Sequence, residues 1–309
     1  MHKKIQPLLK WAGGKRKLLQ YILPKVPGEY NCYFEPFIGG ASVLMAISPK
    51  KAIVSDLNKD LINVYLQTRD FPEDLINELK KHNRNHSKDY YYEIRNLDRL
   101  ESFYRLTDTE KAARIIYLNH TCYNGLYRVN SLGQYNTPIG RYKKPNIVDE
   151  QNIRYVSEYF QKNDIRFICN DYQKTLDLVR KGDFVYLDPP YDPISDSASF
   201  TMYTKEGFNK DDQRNLKMEC DRLDSIGAFF MQSNSDTEFI RELYKNYHIE
   251  IDELSAPEVT TVSGDYEFPI NIEVTDGNDV YYTTDGSDPT QNSAVYSGPI
   301  PMPLGKSTF

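Results

Sequence analysis

Two apolar runs joined by a glycine turn limit the possible folds of this chain more than any other stretch. Cys32-Tyr33-Phe34-Glu35-Pro36-Phe37 reads as a buried strand, Ile38-Gly39-Gly40-Ala41-Ser42 as a tight turn, and Val43 to Ile47 as the opening of a helix. A second β-rich run, Ala52-Ile53-Val54-Ser55, ends at Asp56-Leu57-Asn58. Strand, glycine turn, helix, strand and acid form the outline of a nucleotide-binding βαβ unit, so an open α/β sheet is predicted.

The rest of the chain repeats that pattern on either side of a helical stretch. Upstream, Gly13-Gly14 precedes Lys15 to Leu23, whose apolar positions recur at helical spacing until Pro24. Residues 59 to 116 read as largely helical and polar, with Asp74 to His82 and Lys111 to Leu118 the clearest amphipathic stretches. Strands are then predicted at Ile165 to Cys169, before Asn170-Asp171, and at Phe184 to Leu187, before Asp188-Pro189-Pro190-Tyr191. Gln213 to Ser225 reads as a helix, Ala228 to Ser233 as a strand and Thr237 to Tyr244 as a helix. After Ile251 come short period-two segments, Ile270 to Val274 and Val280 to Thr284, with Asp285-Gly286-Ser287-Asp288-Pro289 as turn chemistry. A boundary is predicted near residues 252 to 257. There is no internal repeat and no low-complexity tract.

Composition excludes several classes. With 309 residues, 39% hydrophobic and 27% charged, the chain has the make-up of one large or two ordinary folded domains. No apolar run approaches the roughly 18 residues of a membrane span, and Met1 to Trp11 lacks the apolar core of an export signal. Cys32, Cys122, Cys169 and Cys220 lie far apart, without the spacing of a zinc site or the density of a disulfide framework. Reduced thiols, a cytoplasmic location and no metal or membrane partner are therefore expected. The net charge of −6 conceals a division: residues 252 to 309 carry ten acids and one base, leaving +3 on the remainder. Only the first part is a plausible partner for a polyanion.

Two features carry chemistry. Asp188-Pro189-Pro190-Tyr191 falls beyond the carboxyl end of a predicted strand, where open α/β sheets bind ligands. Taken alone it is also what a rigid strand-to-loop turn looks like. At such a place Asp188 can accept a hydrogen bond from an amino group, the fixed proline backbone can aim a carbonyl at the same nitrogen, and Tyr191 can stack on a planar ring. That set suits the exocyclic amine of a base. The second feature is Lys111 to Val148, with six bases, no acid and five tyrosines, the composition of a nucleic-acid reading segment.

Seven blocks in order resemble the Dam-type family of DNA adenine N6-methyltransferases. They are Lys10-Trp11-Ala12-Gly13-Gly14-Lys15, Phe34 to Gly40, Ser55 to Asn58, Cys122 to Asn130, Gly140 to Pro145, Asp188 to Tyr191 and Ser233 to Thr237. The resemblance covers roughly residues 5 to 250. It implies a Rossmann-like sheet that uses S-adenosylmethionine, with an inserted, mainly helical DNA-recognition domain and double-stranded DNA as partner. On this basis residues 1–58 and 150–251 form the catalytic domain and 59–149 the target-recognition domain.

The resemblance also implies roles. Trp11, Lys15, Phe37, Gly39, Gly40, Asp56 and Asp171, with Asp188, are expected at the cofactor. Lys15 would face its methionine end, Asp56 the ribose hydroxyls and Asp171 the adenine. Asp188, Pro189, Pro190 and Tyr191 are the expected catalytic turn, with no metal and no covalent intermediate. Arg128 is the expected principal base reader, joined by Tyr123, Asn124, Leu126 and Pro138, while Arg141, Lys143 and Lys144 meet phosphates. GATC is the expected target.

At Glu250-Ile251-Asp252 the chain leaves the family pattern, which ordinarily continues with a strand pair completing the sheet. Residues 256–309 resemble part of the Ig-like module at the carboxyl end of chitobiase and β-hexosaminidase proteins, through Tyr281 to Thr290 and Tyr296 to Ile300. Two alternatives to the DNA enzyme remain at this level. One is an N-methyltransferase of RNA or protein glutamine; the other is an impaired cofactor- and DNA-binding protein lacking its last strands. Oligomeric state is not legible.

Overall fold

The computed structural model describes residues 5–11, 14–193 and 208–251, and the backbone of eight short strands between residues 258 and 306. Gly13, the 252–257 boundary and the predicted turn at Asp285 to Pro289 lie outside the described residues. The chain divides into two compact units, Met1–Ile249 and Glu250–Phe309.

The first unit is built on five parallel strands: β1 (Tyr33–Glu35), β2 (Lys51–Asp56), β3 (Asp164–Cys169), β4 (Phe184–Leu187) and β5 (Phe229–Gln232), in the order β3-β2-β1-β4-β5. Tyr33 is in register with Ala52 on one side and Phe184 on the other, so β1 is central. The chain winds outward from β1 through β2 to β3, then crosses to β4 and β5. Strand order therefore reverses between β1 and β4, and the crevice beyond their carboxyl ends is the ligand position of such sheets. Among the described residues β5 is an edge strand.

Both faces of the sheet are covered, which is why its strands read as near-continuous apolar runs rather than alternating ones. Tyr33, Ala52, Val54, Phe184 and Tyr186 point into one core, whereas Phe34, Ile53, Val185 and Leu187 point into the other. The helices are α1 (Leu19–Ile22), α2 (Ser42–Ile47), α3 (Lys59–Asp70), α4 (Pro72–Asn85), α5 (Lys88–Asn96), α6 (Asp108–Thr121), α7 (Glu150–Lys162), α8 (Tyr172–Leu176), α9 (Lys210–Ser225) and α10 (Glu238–Leu243). Helices α3 to α7 supply the first core and α8 to α10 the second. Their starts follow from side-chain caps that satisfy otherwise unpaired N–H groups. Asn58 accepts from Asp60 and Leu61, and Thr107–Glu110 and Asn209–Asp212 form capping boxes for α6 and α9.

Several elements differ from expectation for identifiable reasons. The predicted helix at Lys15 to Leu23 contracts to Leu19–Ile22, because residues 15–18 form a turn that buries Lys15. The first strand stops at Glu35, since Pro36 has no N–H for a ladder. Helices α7 and α8 were not predicted. The basic stretch from Lys111 to Val148 is not one segment: Lys111 and Arg114 belong to α6. Arg114 is buried, with Nη2 2.8 Å from Asp98 and donating to the Ile94 and Arg95 carbonyls, so it ties α6 to α5. Cys32, Cys122 and Cys220 are buried free thiols and Cys169 is an exposed one.

In the second unit the described backbone forms four antiparallel pairs. Ile270–Ile272 pairs with Ile300–Met302, Tyr281–Tyr282 with Ala294–Val295, Asp265–Tyr266 with Gly305–Lys306, and Glu258–Val259 with Val274–Thr275. Among the described residues, no helix of either unit is long and apolar enough to cross a membrane.

Candidate active site

Strands β1 and β4 end side by side and bring three ionisable groups to the reversal of strand order. Asp188 follows β4, Glu35 is the last residue of β1, and Lys15 reaches in from the N-terminal loop. Lys15 Nζ lies 2.6 Å from Asp188 Oδ2 and 5.0 Å from the Tyr191 ring centroid. The other carboxylate oxygen, Asp188 Oδ1, is buried and has no hydrogen-bond partner. A buried acceptor without a donor costs roughly 1–3 kcal/mol, which an N–H group placed against it would offset. Burial raises the Asp188 pKa, while Lys15 and the Tyr191 hydroxyl oppose that rise. Burial likewise works against the Lys15 charge, but Asp188 more than compensates and its pKa is raised.

Glu35 was not singled out from sequence. It is buried, accepts the Tyr33 hydroxyl at 2.9 Å, and takes the N–H of Leu44 in the first turn of α2. Helix α2 has no capping side chain of its own, so β1 caps it from below. Burial pushes the Glu35 carboxyl up to about 8, and the nearby Asp188 charge adds to the rise.

The Asp188–Tyr191 turn is held from outside by side chains of α9 and the segment after β5. Gln213, fully buried, donates to the Pro190 carbonyl at 2.9 Å and accepts from Asn234 at 3.0 Å. Asn234 accepts the Asp192 N–H, Ser235 donates to the Asp192 carbonyl, and Thr237 donates to Asp192 Oδ2 at 2.7 Å. Behind the turn, the Tyr186 and Ser233 hydroxyls lie 2.6 Å apart. These contacts give the Ser233 to Thr237 block a physical purpose: it fixes the turn. Pro189 is buried, whereas Pro190 and Tyr191 are exposed.

The residues expected at the cofactor gather around the carboxyl ends of β1, β2 and β3. Phe37 stacks on Tyr172 at 5.2 Å and meets Phe208 edge-on at 6.1 Å, two aromatic partners that sequence reasoning missed. Asp56 ends β2; its Oδ2 accepts the Gly39 N–H at 3.1 Å and its Oδ1 the Asn58 N–H at 2.9 Å. Each oxygen keeps capacity for a further donor. Asp171 follows β3 and caps α8 by accepting the Gln173 N–H at 2.9 Å.

The glycine turn has a second reason for its glycines. Gly39 adopts φ +45°, and a Cβ there would lie 3.0 Å from the Trp11 ring; at Gly40 it would lie 2.9 Å from the Trp11 Cβ. Trp11 thus packs directly on the turn. Ala41 beside it is also left-handed, at φ +57°, a conformation costing about 1–2 kcal/mol for a residue with a Cβ.

The expected reading segment is a loop and hairpin following α6. Tyr123, Asn124, Arg128, Pro138, Arg141, Lys143 and Lys144 are exposed and Leu126 is half-buried. Asn124 has φ +52°, tolerable for Asn, and turns the chain. The Leu126 carbonyl accepts from Tyr135 at 3.0 Å and Thr137 at 2.8 Å, and Arg128 Nε donates to Asn136 at 2.8 Å, so the loop is tied.

Comparison with known proteins matches this arrangement. The family model for D12 class N6 adenine-specific DNA methyltransferases covers residues 11–256, and that for the chitobiase/β-hexosaminidase C-terminal domain covers residues 261–309. The chain is similar to the type II methyltransferase M1.LlaDCHI of Lactococcus lactis subsp. cremoris, 46% identical over 245 residues, covering 79% of this chain and 86% of that protein. Similarity to the type II methyltransferase M.MjaIII of Methanocaldococcus jannaschii is 39% over 262 residues, covering 79% and 90%. For the DNA adenine methylase of Serratia marcescens it is 36% over 250 residues, covering 79% and 88%. The chain belongs to the D12 class N6 adenine-specific DNA methyltransferases, with a segment of the chitobiase/β-hexosaminidase C-terminal type at its far end.

Proposed function

We propose that the protein transfers a methyl group from S-adenosylmethionine to the exocyclic amine of adenine in double-stranded DNA, at GATC. The observation carrying this reading is Asp188 Oδ1, a buried acceptor without a partner beside a stacking tyrosine at the reversal of strand order.

The residues present fit the cofactor. Phe37, Tyr172 and Phe208 offer an apolar aromatic wall for a purine, and Asp56 retains acceptor capacity for ribose hydroxyls. Asp171 would meet the cofactor's adenine, and Trp11 and Lys15 would meet its methionine end, with Lys15 also paired to Asp188. When bound, the cofactor supplies an activated methyl on sulfonium sulfur.

The protein's own work is positional and electrostatic. Asp188 Oδ1 accepts one hydrogen bond from the adenine amine and the Pro189 carbonyl accepts a second, favouring a tetrahedral nitrogen whose lone pair is drawn out of the ring. Lys15 keeps Asp188 anionic by holding Oδ2. Tyr191 stacks on the base and so orients the nitrogen for direct displacement. The adenine must leave the duplex stack, at a cost of a few kcal/mol, which Tyr123 offsets by filling the gap. Residues 59–149 carry target recognition and residues 1–58 with 150–251 carry catalysis. Arg128 reads guanine, Asn124, Leu126 and Pro138 meet base edges, and Arg141, Lys143 and Lys144 meet phosphates.

The test is transfer of labelled methyl to unmethylated duplex, with the product mapped to single sites. The wild-type chain is expected to label adenine N6 at GATC, and Asp188→Ala to fall on the order of 10²–10³-fold. Labelling at another motif would remove the target assignment. Absence of transfer from folded protein, or an unimpaired Asp188→Ala, would overturn the reaction.

A further inference from the structure

Tyr127 stands between two residues expected to meet DNA, Leu126 and Arg128, yet faces away from them. Arg128 is exposed and held to Asn136, whereas the Tyr127 side chain turns inward, in the alternation of extended chain. Its hydroxyl donates to Asp60 Oδ2 at 3.0 Å, and its ring stacks on Trp11 at 5.5 Å with an interplanar angle of 28°.

Both contacts lead to the same place. Trp11 packs on Gly39 and Gly40, so its ring position bears directly on the glycine turn. Asp60 lies in the first turn of α3, its N–H bound by the Asn58 side chain; the Asn58 N–H is in turn held by Asp56, whose other oxygen holds the Gly39 N–H. A closed circuit of contacts therefore joins the Arg128 loop to the glycine turn and the strand-end acid. Tyr135, meeting Tyr127 edge-on at 5.6 Å, blocks the ring from swinging back under the loop. Tyr127 is thus the link between the Arg128 loop and the contacts that hold the glycine turn.

We infer that Tyr127 is a positioning residue that couples reading of the target sequence to the cofactor-binding end of the sheet, a role that rests on the function proposed above. Coupling between sites is reciprocal and commonly amounts to about 5–150-fold in affinity. The full chain is titrated with S-adenosylhomocysteine, which binds without turnover, alone, with target duplex and with a scrambled duplex. Wild type is expected to bind at least about 5-fold tighter with target than with scrambled duplex. Tyr127→Leu is expected to bind S-adenosylhomocysteine alone as wild type does but to lose that difference. Tyr127→Phe keeps the ring, and retention of most of the difference assigns the coupling to the Trp11 stack. A full difference in Tyr127→Leu overturns the inference, as does a wild-type chain that methylates its target with no difference at all.

A second readout protects against a variant that fails to fold. Trp11 is the sole tryptophan, so its emission reports the surroundings it shares with Tyr127 and the glycine turn. Wild-type emission is expected to change with target duplex more than with scrambled duplex, and equal responses overturn the inference. Failure of wild type to bind S-adenosylhomocysteine or to transfer methyl is a different result, which removes the proposed function itself.

Discussion

At the scale of single residues, burial raises the pKa of two carboxyls at the same crevice, Asp188 and Glu35. Asp188 keeps one oxygen unsatisfied, whereas Glu35 is enclosed by Tyr33, the α2 backbone and the repulsive charge of Asp188. The carboxyl of Glu35 is raised from 4.5 to about 8, so the folded protein holds a proton that the unfolded chain has released. Its contribution to stability is complete below 4.5, declines as pH rises and is lost above about 8. Glu35→Gln keeps the shape and an acceptor for Tyr33 but carries no titrating proton. The melting temperature of wild type should therefore fall relative to the variant as pH rises from 5 to 8, as followed by circular dichroism. A constant difference would mean that Glu35 is ionised throughout. Asp188 was legible because a four-residue motif marked it. Glu35 lay inside an equally visible block, but its importance comes from parallel pairing that sets β1 beside β4, which no local pattern states.

Among elements, the strands of the sheet and the longer helices were legible because each has its own apolar period, and so were the carboxyl ends of β1 and β4, between which strand order reverses. Helix α7 carries a period too, with Ile153, Val156 and Phe160 buried, but its polar residues and adjacent basic loop obscured it. Less legible was the service one element renders another. The Ser233 to Thr237 block reads as a loop and helix cap, yet with Gln213 of α9 it fixes the Asp188–Tyr191 turn across the crevice. Gln213→Leu keeps the volume and removes both bonds, leaving the Pro190 carbonyl and the Asn234 amide unpaired at a cost of about 1–3 kcal/mol. Because the turn and not the cofactor wall is loosened, kcat should fall roughly 5- to 100-fold with little change in the KM for cofactor. Steady-state kinetics with S-adenosylmethionine as the varied substrate separate the two. A rise in KM alone would show that Gln213 supports the cofactor wall instead.

On the scale of the whole molecule, the charge division fell close to the structural one: the acidic segment begins at residue 252, and the second compact unit begins at Glu250. The agreement has a physical basis. The −9 segment differs in charge from the rest of the chain, and the sheet of the first unit is covered on both faces by that unit's own helices. Among the described residues, strands pair only within their own unit, parallel in the first and antiparallel in the second. Cooperative unfolding follows shared packing, so calorimetry of the full chain should resolve two transitions instead of one. Ligand discriminates between them. On the function proposed above, S-adenosylhomocysteine and target duplex bind only the folded first unit, and at about 100 times the dissociation constant a ligand adds about 2.7 kcal/mol of stability. The larger transition, from the unit with the α/β core, should move up by several degrees while the smaller one stays in place. A single transition that moves as a whole would mean that the two units share a core after all, and that the far end of the chain substitutes for the strands the family places beyond β5.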